Sequence, residues 1–467
     1  MLRCLKVYSI VLLSILITLV QSRRIIVFGD SWSDIGNIEG RSFTIPYWKG
    51  RFSNGPVWTE YLAYWRGFAL VDYAVAGSVS HHTYFQGVGI TYDTSVSSVY
   101  QQVDAFLGSF GGRGGISDIY NDIVVIDTGR CDVLYAIDHI INNRIGVGEF
   151  AIGFVDRVLE IVRRLRAAGY RRYLVTNIAD YLRFPYFRKY SVAERNRIYH
   201  LIITINESLN NAIIGLRGDI ETGGGYIRIV NLYSITALTS QEGVYRALNF
   251  ANFRDACYNA PNDVLSSCDG LDGYLYFDDL HLTSRFHGLI GAIAHYTSFY
   301  SFGYSENSMI VIIQNYRIAS ITTHNNFLFI GDGYTTGVLA INAFTTQAAG
   351  VNPDATFSAY TNAAAGRDAG YTAFVATFNA IAGSSAAAIG GAVGSGAGVV
   401  GMSGVGTGVG AGVGVGAGAG DGVGVGVGAG VGLAGTVEAD GRIGAGVIRP
   451  VGYYGAYGQD VCRYRIC

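Results

Sequence analysis

Arg24-Ile25-Ile26-Val27-Phe28-Gly29-Asp30-Ser31-Trp32-Ser33-Asp34-Ile35-Gly36-Asn37 opens on an apolar, β-branched run that breaks at Gly29 and Asp30. The run reads as a buried strand and the Gly-Asp pair as the turn that ends it. Residues 70–75 read as a second strand, and Ile123-Val124-Val125-Ile126 is a continuous run of the kind buried on both faces in parallel sheets. Residues 172–177 and 226–232 supply a fourth and a fifth. Between them Phe154, Val155, Val158, Val162 and Leu165 recur at helical spacing, with Arg163, Arg164 and Arg166 mostly on the other face and Gly169 as the stop. Residues 289–300 read as a closing helix. This alternation predicts an α/β fold, a three-layer α/β/α sandwich around a mostly parallel sheet. Reactive groups are then expected in loops at the carboxyl ends of the strands.

The 467-residue chain is 50% hydrophobic and 15% charged, with a formal net charge of −2. That balance supplies no electrostatic reason to expect nucleic acid or an anionic membrane as partner. Upstream of the first strand, Arg3 and Lys6 precede an uncharged apolar run over 7–20, so residues 1–22 read as a secretory signal peptide cut before Arg23. An uncleaved anchor fits less well, because the run is short for spanning and a core strand follows at once. Residues 23–303 carry the α/β pattern. Residues 304–377 are rich in Ala, Thr and Asn and have no assigned fold, although 309–313 and 327–330 look strand-like. Residues 378–467 form a Gly/Ala/Val-rich low-complexity tail that holds much of the chain's 65 glycines. Such a tract carries a high backbone entropy cost and few bulky side chains, and reads as elastin-like or silk-like.

In an oxidising compartment, loss of Cys4 with the signal leaves Cys131, Cys257, Cys268, Cys462 and Cys467, an odd number. Proximity suggests Cys257 with Cys268 and Cys462 with Cys467, leaving Cys131 as a thiol. Asn206-Glu207-Ser208 is a glycosylation sequon, usable only if exposed. His81 and His82 read as a solvated loop that could also line a cleft, and His287 as a packing residue on the closing helix. No His, Cys, Asp or Glu grouping has metal-ligand spacing.

Segments far apart in the chain supply what acyl transfer needs. Ser31 sits at the strand-to-helix turn, where a serine is presented at the sheet edge beside unpaired backbone N–H groups. A helix cap is the ordinary alternative for Ser31 or Ser33. In Tyr276-Phe277-Asp278-Asp279-Leu280-His281-Leu282-Thr283, a carboxylate three residues before a histidine can hold the imidazole Nδ1–H and leave Nε2 to take a serine proton. Asp279 is a rival at less suitable spacing. Gly77, ending Tyr73-Ala74-Val75-Ala76-Gly77, would let its N–H approach a developing oxyanion, or is a plain turn.

In this order and spacing the segments resemble the SGNH hydrolase, or GDSL-type lipase-esterase, family. Gly29 to Asn37 matches its first block, Asp278-Asp279-Leu280-His281 its last, and Gly77 its oxyanion glycine. Gly50-Arg51-Phe52-Ser53-Asn54-Gly55-Pro56-Val57-Trp58 is similar to the segment that follows the first block in many secreted members. The likeness covers residues 24–300. It implies a secreted serine ester hydrolase acting on carboxylic esters, lipid or acetylated polysaccharide, with no organic cofactor or metal required. Ser31 would be the nucleophile, His281 the base and Asp278 its orienting acid, with Ser31 and Gly77 in the oxyanion hole. The tail would allow association with a cell wall or matrix. Two departures stand out. The third block, Gly-x-Asn-Asp, appears as Gly129-Arg130-Cys131-Asp132, so a thiol replaces the oxyanion-donating asparagine and is a much weaker donor. Leu282 stands where many members carry proline. The first departure and the tail keep open an alternative: a secreted structural or surface-binding protein on a catalytically impaired hydrolase scaffold.

Overall fold

The computed structural model describes residues 23–38, 43–108, 119–260, 264–330, 335–336, 338 and 340–343. The expected signal peptide, the low-complexity tail and the Cys462–Cys467 pair lie outside them.

Strands form at the apolar runs, as β1 (Arg24–Gly29), β2 (Ala69–Asp72), β3 (Ile123–Asp127), β4 (Arg172–Thr176) and β5 (Tyr226–Val230). Every residue of β1, β2 and β3 is buried, which is why these runs lack the alternation of a half-exposed strand. Next, β6 (Asn252–Ala256) and β7 (Tyr274–Tyr276) make a small parallel pair, and β8 (Phe329–Ile330) and β9 (Thr335–Thr336) an antiparallel one. A last strand, β10 (Ala340–Asn342), returns to the main sheet. That six-stranded sheet runs β10-β2-β1-β3-β4-β5 and is parallel throughout. The chain leaves β1 toward β2 on one side and returns to β3 on the other. The end of β1, with Gly29 level with Asp127, is therefore the switch point where an open α/β sheet leaves a crevice.

The main helices are α1 (Trp58–Arg66), α2 (Arg130–Ile141), α3 (Val147–Ala167), α4 (Val192–Thr222), α5 (Ser284–Thr297) and α6 (Glu306–Asn315). They flank the sheet in two groups, with α1 packed on α5 and α3 packed on α4. On α3 the buried stripe includes Phe154, Val158, Val162 and Leu165, the predicted face, and Gly169 follows in a left-handed conformation at φ 104°. The closing helix α5 starts five residues earlier than its periodicity suggested, because Asn54 from a distant segment accepts the Ser284 N–H at 2.7 Å. All of its residues are buried.

Two expectations are corrected beyond residue 303. Residues 309–313 are not a strand but lie in α6, which Ser305 caps by accepting the Ser308 N–H and which buries Met309, Ile312 and Ile313 at helical spacing. A short apolar run carries no period long enough to separate helix from strand. The boundary at 303 also falls too early, since α6 packs against α5 and β10 extends the sheet beside β2. Tyr316 joins them, its hydroxyl 2.5 Å from His295 Nδ1 in the core of α5.

The expected Cys257–Cys268 disulfide is present, with 4.7 Å between Cα atoms. The sequon at Asn206 is not an open acceptor. Its carboxamide accepts the Ile178 N–H at 2.8 Å and donates to Ile178 O at 2.9 Å, completing the chain just after β4.

Ending the chain at residue 303 removes α6 and β10 and uncovers the apolar faces they bury. Relative to a chain ending at 343, its melting temperature by circular dichroism is expected to fall by more than about 10 °C, or soluble expression to be lost. Equal melting of the two would show that 304–343 is only an appendage.

Candidate active site

Ser31 follows β1 in a tight turn in which the Ser33 and Asp34 N–H groups both donate to Asp30 O at 3.0 Å. Its hydroxyl Oγ lies 3.0 Å from His281 Nε2. On the far side of the ring, His281 Nδ1 is 2.9 and 2.8 Å from the two carboxylate oxygens of Asp278. The loop between β7 and α5 makes this possible by wrapping round its own carboxylate: Asp278 Oδ1 accepts the N–H groups of Leu280 and His281, each at 2.8 Å. Burial alone would push the Asp278 carboxyl up. His281 beside it and these donors outweigh burial and hold it below the usual carboxylate range. All three side chains are buried. Such a line can draw a proton from a serine hydroxyl onto an imidazole that a carboxylate orients and stabilises. Asp279 lies elsewhere, half-buried, with its carbonyl accepting the Tyr186 N–H. Leu282 is buried and its carbonyl accepts the Ser53 hydroxyl at 2.9 Å, so that loop is held without proline.

Gly77 has φ 91°, a conformation that side chains resist. Among the described residues, neither its N–H nor that of Ser31 is given to a protein acceptor. Buried N–H groups are rarely left so, and these two are suited to an oxyanion. Asp34 aims the Gly77 loop. It accepts the Ala76 N–H at 2.8 Å with one oxygen, and the Gly36 and Asn37 N–H groups at 2.7 and 2.6 Å with the other. Burial raises its carboxyl to about 6 against the pull of those N–H donors. Gln102 then ties the end of β1 to the same loop, exchanging two hydrogen bonds with the Gly29 backbone and donating to Ser78 Oγ.

Cys131 is the second residue of α2 and packs wholly inside the hydrophobic core. The helix starts from Gly129 at φ 111°, where an added Cβ would come within 2.5 Å of Ile178 Cδ1 and 2.7 Å of Phe154 Cζ. His81 caps a short helix through Nδ1 and stacks on Tyr100, and His82 packs on Tyr92. Neither touches Ser31 or His281 in any described contact. His287 is fully buried against Trp32. Among the described residues no group of three or more His, Cys, Asp or Glu is arranged to hold a metal ion.

Sequence reasoning passed over Tyr47. Its hydroxyl donates to Asp278 Oδ2 at 2.8 Å, and its ring meets the His281 ring edge-on at 5.9 Å. Phe52 covers the imidazole from another side, with ring centroids 5.1 Å apart. No local signal marks Tyr47, which lies 231 positions from the carboxylate it serves; only its nearness to the 50–58 segment hinted at the region.

A family model described as GDSL-like lipase/acylhydrolase matches residues 25–293. The thermolabile hemolysin of Vibrio parahaemolyticus is 24% identical over 285 residues, covering 57% of this chain and 62% of the hemolysin. The match thus spans less than two thirds of that relative. A GDSL esterase/lipase of Arabidopsis thaliana is 22% identical over 316 residues, 57% of this chain and 87% of its own. A solved acetyl xylan esterase overlaps 58% of this chain and 97% of its own at 13% identity and a TM-score of 0.31, too slight a likeness to carry an inference.

Tyr47→Phe removes one donor from a buried carboxylate that keeps its others. Asp278 is then held less firmly beside the His281 ring. Labelling of Ser31 by a fluorophosphonate is expected to slow by about tenfold, the scale of one hydrogen bond to a charged group. An unchanged labelling rate would assign Tyr47 to packing alone.

Proposed function

The chain belongs to the GDSL-like lipase/acylhydrolase family, and from that premise we propose that it is a secreted carboxylic ester hydrolase working through Ser31, His281 and Asp278. His281 takes the Ser31 proton as Oγ attacks the ester carbonyl, and Asp278 keeps the imidazole in the required tautomer and stabilises its cation. The tetrahedral oxyanion is received by the backbone N–H groups of Ser31 and Gly77. His281 then gives the proton to the leaving alcohol, and an activated water releases the acid from the acyl-enzyme. The observation that carries this reading is the continuous line from Ser31 Oγ to His281 Nε2 at 3.0 Å and from Nδ1 to Asp278 at 2.8 Å. The ester belongs to a lipid or to an acetylated polysaccharide. We assign residues 1–22 to the secretion signal and 378–467 to a tail that associates the enzyme with wall or matrix.

One observation favours a second reading, a structural or surface-binding protein on an impaired scaffold: a core-packed Cys131 holds the family's asparagine position. Losing one oxyanion donor costs about 10²–10³ in turnover, which slows such an enzyme without abolishing it.

Hydrolysis of short- and medium-chain p-nitrophenyl esters by the secreted protein decides between them. Activity is expected in the wild type and a loss of more than about 10³-fold in Ser31→Ala, while Cys131→Asn is expected to raise kcat by about tenfold or more. A folded wild type without activity, unrescued by Cys131→Asn, would leave the scaffold reading standing.

A further inference from the structure

Arg130 fills the variable position of the Gly-x-Asn-Asp block, and its side chain is 4% exposed. Nε donates to Asp30 Oδ1 at 2.7 Å and Nη2 reaches the same oxygen, while Nη2 also lies 2.7 Å from Asp127 Oδ2. The guanidinium carbon lies 4.6 Å from the centroid of the Trp32 ring. These contacts converge on the nucleophile. Asp30 precedes Ser31 and accepts the Trp32 N–H through Oδ1 at 3.3 Å. Trp32 follows Ser31, and its indole N–H donates at 3.3 Å to the carbonyl of Leu280, the neighbour of His281. One planar cation thus touches the residues on both sides of Ser31, and through the indole it bears on the loop that carries the base. A lysine could not reproduce this, being a point charge with neither the fork nor the flat face.

We propose that Arg130 is a positioning residue for catalysis, a buried clamp on Asp30, Asp127 and Trp32 that holds the Ser31 turn and the His281 loop in mutual register. The proposal rests on the ester hydrolase reading and adds to it a residue outside the reacting line. The clamp is also charge-sensitive. Two buried carboxylates face one guanidinium, so they do not ionise alike. Burial and the neighbouring Asp127 raise the Asp30 carboxyl to about 7 despite Arg130, whereas for Asp127 the pull of Arg130 and its hydroxyl donors overcomes burial and lowers it. Tyr181 faces Arg130, and His287 faces Arg130 and Asp127 with His281 acting on it in turn. Burial lowers His287 to about 3, so it stays neutral. A proton on Asp30 weakens its hold on Arg130. Falling pH through the neutral range therefore loosens the clamp.

The test measures kcat, KM and their pH dependence on a p-nitrophenyl ester for the wild type, Arg130→Lys and Asp30→Asn, with Ser31→Ala as control and melting temperatures alongside. Arg130→Lys is expected to lower kcat by about 10–100-fold with KM within about twofold, the signature of misplaced reacting groups. Asp30→Asn keeps an acceptor for Arg130 and a neutral Arg130–Asp127 pair, and is expected to make the acid limb shallower than the wild type's by removing the Asp30 proton from it. A folded Arg130→Lys with kcat within about twofold of wild type overturns the proposal. Should that variant not fold, an Asp30→Asn acid limb identical to the wild type's overturns it instead. An inactive wild type, or activity that survives Ser31→Ala, defeats the hydrolase reading and this proposal with it; an active wild type with indifferent Arg130 and Asp30 variants defeats the proposal alone.

Discussion

Asp127 closes β3 with its carboxylate wholly buried, a placement that is costly for a charge unless donors replace water. Here they come from four parts of the chain. Ser33 donates from the turn after β1 at 2.5 Å, Trp58 from α1 at 3.2 Å, Thr176 from the end of β4 at 2.8 Å, and Arg130 approaches from α2 at 2.7 Å. Removing any one would leave the charge under-satisfied, so each element is held where its donor is needed. The carboxyl edge of the sheet becomes a fixed platform at the switch point, and the turn bearing Ser31 is built on it.

On that platform the site is assembled from pieces that do not adjoin in sequence. The β1 turn supplies Ser31, the loop before α5 supplies His281 and Asp278, and the segment after β2 supplies Gly77. Polar side chains between the pieces set their spacing: Asp34 for the Gly77 loop, Tyr47 for Asp278, and the Trp32 indole for the Leu280 carbonyl. Environment also divides the carboxylates by task. Asp278, given backbone N–H groups, a phenol and an imidazole, is held below the usual carboxylate range. Asp30 and Asp34, whose burial is less fully offset, are raised; Asp34 serves backbone N–H groups, and Asp30 pairs with Arg130.

Cys131 shows how one position can serve two ends. As a small, fully buried residue near the start of α2 it fills core space, where cysteine behaves as a compact hydrophobe. As a hydrogen-bond donor it is weak. A thiol there gains packing at the start of α2 without the polar reach of an asparagine, and it stands beside Arg130, whose side chain meets Asp30 and Trp32.

The strands were legible because fully buried parallel strands must be continuously apolar, and α3 because its stripe spans several turns. Ser31, Asp278 and His281, which the fold brings into one hydrogen-bonded line, stood out in the sequence for a local reason: a serine at a strand end and an Asp-x-x-His loop are short-range geometries that neighbouring residues largely settle. Residues 309–313 misled because a short apolar run has no decisive period, and β10 escaped notice because a three-residue strand is defined by the β2 edge that receives it. Tyr47, Asp34 and Arg130 acquire their roles only across separations of 231, 42 and 100 positions. The sequence alone determined the fold class, the first five strands and which residues could do chemistry, since those follow from local pattern. The tertiary structure alone decided which buried charges face one another and which backbone N–H groups remain unspent, because burial and pairing are properties of segments that meet only after the chain has folded.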